Sequence, residues 1–134
     1  MAYMEWDDAL SVGVPVFDQQ HQRLVGYLNE LHDAMRAGKG ASALSGILDG
    51  LAEYTETHFA SEEEAFHKHG YPQTEEHTAQ HRELMEKVHN LQAEASSGKL
   101  LLSVSVLGFL KDWVTNHISG SDKAYSEFLA GKSV

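Results

Sequence analysis

The sequence predicts an all-α protein: an up-down-up-down antiparallel four-helix bundle with an N-terminal arm and a short C-terminal helical extension. Three observations predict it. Four segments repeat apolar residues at the three- and four-residue spacing of one helix face. No segment alternates apolar and polar residues as a half-buried strand does. The connections between the four segments are short and marked by glycine or proline. With 134 residues and 42% hydrophobic composition, the chain is sized for a single domain, residues 1–134, around one core.

Residues 1–17 hold Trp6, Gly13 and Pro15 without helical periodicity. They are expected to form an arm held on the bundle by Trp6 and Phe17, with Pro15 keeping this part out of a helix. The bundle is expected over residues 18–131. Its first helix starts at Asp18 as N-cap and carries His21, Leu24, Val25, Leu28, Leu31, His32 and Met35 on one face, until Gly38 and Gly40 stop it. Ser42 caps the second, whose stripe is Leu44, Ile47, Leu48, Leu51, Thr55, His58, Phe59, Glu62, Ala65 and Phe66, ending at Gly70-Tyr71-Pro72. Thr74 caps the third, with Glu75 and Glu76 in the first turn, where the helix dipole favours anions. Its stripe is His77, His81, Leu84, Met85, Val88, Leu91 and Ala95, stopped by Gly98. The fourth starts near Ser103 and runs through Val106, Phe109, Leu110, Trp113 and His117, followed by Tyr125, Phe128 and Leu129.

Several positions on these apolar stripes are polar. His58 and Glu62, and again His77 and His81, stand four apart, so each pair shares one helix face about one turn apart. In an antiparallel bundle His21 early in the first helix, His58 and Glu62 late in the second, His77 and His81 early in the third and His117 late in the fourth all lie at the same end. Such groups are costly in a core unless they satisfy one another or a metal. The chain has no cysteine, so a metal here must be held by imidazole and carboxylate, a donor set suited to iron, zinc, copper or manganese. A net charge of −10 argues against nucleic-acid partners. No basic segment followed by an apolar run opens the chain, and no stretch reaches the length of a membrane span, so a cytoplasmic protein is expected.

A bundle carrying these residues resembles the hemerythrin family, in particular its single-domain bacterial members. The matching segments are Trp6 with Ser11-Val12-Gly13-Val14-Pro15, Asp18-Gln19-Gln20-His21, His58-Phe59-Ala60-Ser61-Glu62-Glu63, His77-Thr78-Ala79-Gln80-His81, and Trp113 through His117 to Asp122. Together they cover essentially the whole chain. The resemblance implies two iron ions bridged by the carboxylates of Glu62 and Asp122 and by an oxo or hydroxo group. His77, His81 and His117 would bind one ion, and His21 and His58 the other. The second ion would then keep one position open, where dioxygen would bind and be reduced to a bound hydroperoxide. The implied function is reversible oxygen binding, as a carrier, storage or delivery protein, and not an enzyme. An oxygen-consuming enzyme is the class of protein partner that delivery implies. The lack of an evident exposed apolar stripe points to a monomer.

Such a site needs a dry pocket. Phe59 beside His58, Trp113 one turn before His117, and Leu24 and Val25 one turn after His21 are the expected lining, although apolar residues at this spacing also serve as ordinary core. Asp122 stands five after His117, about 140° away around a regular helix. The stripe of Tyr125 and Leu129 continues in phase with Asp122, so a π-type irregularity is expected between His117 and Asp122. Gln20 is expected to orient His21, where some relatives place an acidic residue.

The other histidines are expected to do no chemistry. His67 and His89 lie off their stripes, His32 is about 16 Å along its helix from His21, and His69 sits in the last turn of the second helix. Glu63, Glu64, Glu75 and Glu76 read as a solvated face. The alternatives on the same fold are a di-iron oxidase, or a protein that senses oxygen or iron or senses or detoxifies nitric oxide. A ferritin-like oxidase would use Glu-x-x-His motifs, but Glu64-Ala65-Phe66-His67 and Glu86-Lys87-Val88-His89 point away from the stripes. A single tetrahedral zinc needs fewer ligands than the seven available.

Overall fold

The computed structural model describes residues 4–38, 41–96 and 104–132. Four long helices form the bundle: α1, Pro15–Arg36; α2, Ala41–His69; α3, Thr74–Ser96; and α4, Val104–Asn116. A π-helical segment, His117–Asp122, continues α4, and a single turn, α5, Ser126–Leu129, follows it. Consecutive helices pack side by side, α1 on α2 and α2 on α3, and α4 closes against α1. Among the described residues there is no strand, and no helix is long and apolar enough to cross a membrane. The expected stops at Gly40 and Gly98 and the start near Ser103 lie outside the described residues, as do the side chains of Ser42, Leu44, Ala95 and Val106.

Three helix starts differ from the sequence reading, α2 among them, since it begins at Ala41 and holds the expected cap Ser42 inside it. α1 begins at Pro15, three residues before Asp18, because a proline in the first turn gives up only an N–H that has no partner there. Asp18 is therefore inside the helix, and its carboxylate instead ties down the arm: Oδ2 accepts from Ser11 Oγ at 2.6 Å and Oδ1 from the Val12 N–H at 2.8 Å. Thr74 is likewise the first residue of α3, with its hydroxyl donating to the Tyr71 carbonyl at 2.6 Å. Gly70 does end α2 as expected, at φ 68°, which lets the Tyr71 N–H reach the Phe66 carbonyl at 2.9 Å.

The arm is fixed at three further points. The Asn29 side chain pairs with the Met4 backbone through two hydrogen bonds of 2.8 and 2.9 Å, Leu10 is buried after a 3-10 turn over Asp8–Leu10, and Trp6 packs half-buried on the core. Phe17, buried at 2% exposure, belongs to α1. Around the cluster described below the core is aromatic: Tyr125 contacts Phe17, Phe66, Tyr71 and His77 with ring centroids 5.4–6.5 Å apart.

Candidate metal centre

Eight polar or charged residues are buried among the described residues, and seven of them meet at one point. α1 supplies His21, α2 His58 and Glu62, α3 His77 and His81, α4's continuation His117 and Asp122. The eighth, Thr55, stands one turn before His58. Four helices reach this layer because each carries its polar residue at the same end of the bundle, on the stripe that periodicity aims inward. Asp122 is 1% exposed, and the π segment brings it there: with a wider turn, a residue five after His117 returns to the same face.

The two carboxylates divide the imidazoles between them. Asp122 Oδ1 lies 2.8 Å from His77 Nε2 and 3.0 Å from His117 Nε2, and Glu62 Oε1 lies 3.1 Å from His81 Nε2. The opposite oxygens face the other pair: Asp122 Oδ2 is 3.0 Å from His21 Nε2, and Glu62 Oε2 is 3.5 Å from His21 and 3.6 Å from His58. The donors form two overlapping groups, each within 4.8 Å: Glu62, His77, His81, His117 and Asp122, and His21, His58, Glu62 and Asp122.

Most of these separations are as short as hydrogen bonds, yet they leave the facing atoms unsatisfied. His21, His77, His81 and His117 Nε2, Glu62 Oε1 and both Asp122 oxygens are buried with no hydrogen-bond partner among the described residues. Left so, seven such atoms at about 1–3 kcal/mol each would offset the whole stability of an ordinary domain, about 5–15 kcal/mol. Cations at the focus of each group remove that cost. Two adjacent ligands of an octahedral ion with bonds of about 2.1 Å stand about 3 Å apart, which matches the spacing here. The residues fit a pair of metal ions sharing two carboxylates.

The outer nitrogens fix ring orientation. His58 Nδ1 meets Gln20 Oε1 at 2.5 Å, His81 Nδ1 meets Glu63 Oε2 at 2.9 Å, and His117 Nδ1 meets Gln80 Oε1 at 2.8 Å, an oxygen that also accepts from Ser121 Oγ at 2.6 Å. Two sequence expectations change. Gln20 holds His58 across the α1–α2 interface, not its neighbour His21, and Glu63 is no mere surface charge. Tyr125 Oη donates to Glu62 Oε2 at 2.6 Å. Phe59 lies flat on His81, with centroids 3.7 Å apart, and Trp113 on His117, at 4.4 Å.

Charge follows from this packing. Burial lowers the pKa of His21 and His77, but the adjacent Asp122 and Glu62 carboxylates overcome it and raise both to about 9. Burial dominates at His58 and lowers it to about 4. For Asp122 and Glu62 burial pushes upward, yet the surrounding imidazoles hold both below the usual carboxylate range.

An apolar cavity opens on one side only of the cluster. It touches His21, His58, His117 and Asp122 and is otherwise lined by Leu24, Phe59, Trp113 and further aliphatic residues of α1, α2, α3 and α4, with Thr55 as the sole other polar side chain. Val25 is buried but does not line it. Leu28, Leu110, Val114 and Ile118 do; helical phase places them on the core side but does not say which core residues border a void. The space open to the centre of a water-sized molecule is about 20 Å³. One water needs roughly 10–15 Å³, so one or two small molecules fit and an organic substrate does not. His67 and His89 are exposed, the latter paired with Glu56 at 2.9 Å, and His32 and His69 are half-buried outside the cluster.

Residues 12–129 match the family model described as the hemerythrin HHE cation binding domain. The chain is 35% identical over 127 residues to a bacteriohemerythrin of Stenotrophomonas maltophilia, covering 95% of this chain and 82% of the relative. It is 34% identical over 131 residues to a bacteriohemerythrin of Methylococcus capsulatus, covering 97% and 99%. Among solved structures, a wild-type hemerythrin superposes with a TM-score of 0.89 at 33% identity, covering 97% of this chain and all of that one. A hemerythrin variant substituted at one leucine gives 0.91 at 34%, covering 98% and all of that chain.

Proposed function

The chain belongs to the hemerythrin family, and from that premise we propose that it binds dioxygen reversibly at a non-haem di-iron centre, as an oxygen carrier rather than an enzyme. The observation that carries this reading is the asymmetry of the cavity. It is lined by both His21 and His58, whereas of the three imidazoles on the other side it touches His117 alone and does not reach His77 or His81. His77, His81 and His117 would hold one iron, His21 and His58 the other, and Glu62 and Asp122 would bridge them. When bound, the two ferrous ions supply the electron density that dioxygen draws on while held and returns on release.

The protein's own residues make that exchange reversible by what they exclude. Leu24, Leu28, Phe59, Trp113 and their neighbours leave room for a diatomic molecule and present an apolar surface that disfavours water and anions. Five neutral imidazoles against two carboxylates keep the ligand charge low, which favours the reduced ions. Gln20, Glu63 and Gln80 lock three of the rings, and Tyr125 holds Glu62, so little needs to move. The cavity is too small to admit an organic substrate beside the metal.

The test is iron content with visible spectra of the purified protein, reduced under argon, exposed to air and deoxygenated again. Two irons per chain and a visible band that comes with air and goes without it support the carrier reading. Irreversible oxidation on first exposure points to an oxidase or sensor, and absence of iron refutes the assignment.

A further inference from the structure

The cluster is bordered by openings of different chemistry, and we propose that a polar pocket formed by Gln73, Glu76, His77, Gln80 and Ser121 is the entrance by which ferrous ions reach it, with the Glu76 carboxylate as the receiving group. This inference rests on the di-iron reading and concerns loading, not oxygen.

A hydrated divalent cation does not pass a wall of aliphatic side chains, because each water it sheds there goes unreplaced. The apolar cavity, apart from the cluster residues themselves, offers only the Thr55 hydroxyl, whose proton is given to the Leu51 carbonyl at 2.6 Å. The polar pocket presents polar side chains along its length, with the Glu76 carboxylate at its mouth and the Gln80 amide oxygen, which accepts from Ser121 Oγ, deeper in. Glu76 and Gln73 are exposed, Gln80 and Ser121 are half-buried behind them, and the inner wall is His77, whose Nε2 lies 2.8 Å from Asp122 Oδ1. Its open space of about 40 Å³ holds a few waters at roughly 10–15 Å³ each, enough for an ion that has shed part of its shell.

A third opening, lined by Glu56, Glu63, His81 and Arg82 among others, is the poorer route. It presents the Arg82 cation to the incoming ion. Its His81 ring is covered by Phe59 and bonded at Nδ1 to Glu63.

The experiment compares Glu76→Lys with Glu75→Lys. Both residues are exposed in the first turn of α3, so the two variants change net charge and the helix terminus alike, but only Glu76 lines the pocket. Metal-free full-length protein is mixed with ferrous ion under argon, and uptake is followed as the fraction of iron that resists a fast ferrous chelator. Glu76→Lys is expected to load roughly tenfold more slowly than wild type, the scale of local electrostatic steering, while Glu75→Lys stays within about twofold. All three proteins should reach the same final iron content and the same response to air. Equal rates for the two variants overturn the proposed entrance, and so does a lowered final iron content in Glu76→Lys, which would make Glu76 part of the centre itself. Failure of the wild-type protein to take up iron overturns the di-iron reading beneath it, a separate and distinguishable result.

Discussion

Tyr125 donates its phenolic hydrogen to Glu62 across 63 residues of sequence, at 2.6 Å and in full burial. Burial, reinforced by the charges of Glu62 and Asp122, holds the phenol well above its ordinary range, so it remains a donor at any working pH. Glu62 Oε2 thus has a fixed partner on one side and His21 and His58 on the other. Tyr125→Phe keeps the ring in its aromatic cluster and removes only this bond. Hydrogen bonds to charged groups contribute about 1.5–3 kcal/mol, so denaturant unfolding of the metal-free variant should show a loss of that size. The iron-loaded variant should oxidise in air faster, because an unrestrained Glu62 carboxylate donates more strongly to the metal. Unchanged stability would mean that water or another donor replaces the hydroxyl.

The contact between Glu63 and His81 gives a second prediction. Partners of a ligand histidine typically contribute 10–100-fold to metal affinity. Glu63→Ala should weaken metal binding by about that factor, while Glu63→Gln, which keeps an acceptor at the same reach, should retain most of it. Competition against a calibrated chelator reads both. Equal losses in the two variants would show that charge, and not ring orientation, is what Glu63 provides.

Glu63 also shows where sequence reasoning stops. Helical phase separates it by about 100° from Glu62, and a residue so placed in an acidic run reads as solvated. Only the approach of α3 brings His81 within its reach, and no local pattern encodes that crossing. Gln20 was misassigned for the same reason: its neighbour in sequence is His21, but its neighbour across the helix interface is His58. The convergence of the seven polar residues was legible because each breaks an apolar stripe at one end of the bundle. The π segment was legible too, since Tyr125 and Leu129 keep phase with Asp122 and not with His117, and both are buried. The start of α1 was not, because a proline that forbids a helix interior is welcome in its first turn.

Thr55 is the one polar side chain of the cavity outside the metal-facing set. Its hydroxyl oxygen can accept a hydrogen bond from a stray water, and under the di-iron reading water beside the iron held by His21 and His58 would speed oxidation. Thr55→Val should therefore lengthen the life of the air-induced visible band. Stability should change by less than about 1 kcal/mol, since the lost bond to Leu51 is a helix back-bond of small net benefit. A shorter-lived band in the variant would show instead that the hydroxyl protects bound oxygen.

Metal loading should release protons, in a number that depends on pH. In the metal-free protein His21 and His77 titrate at about 9, lifted by Asp122 and Glu62 against a burial effect that alone would lower them, whereas burial holds His58 near 4. At pH 7.5 His21 and His77 therefore each carry a proton that a metal must displace. Ferrous ion added under argon in weak buffer should free about two protons per chain, one from each, and the yield should fall once the pH passes about 9. The same shifts fix the sign of the stability profile. A histidine whose folded pKa is raised above about 6.5 stabilises in full below that value and loses the contribution as pH rises through the folded pKa. The unfolding midpoint of metal-free protein should thus decline between pH 6.5 and about 9 as His21 and His77 lose the charge that balances the buried carboxylates. Iron-loaded protein, with these two imidazoles held neutral by metal, should show no such decline. On the acid side His58, with its depressed pKa, contributes stability above about 6.5 that is lost as pH falls through about 4. A metal-free profile that is flat from pH 6.5 to 9 would mean that His21 and His77 are already neutral, and loading would then release no protons in that range.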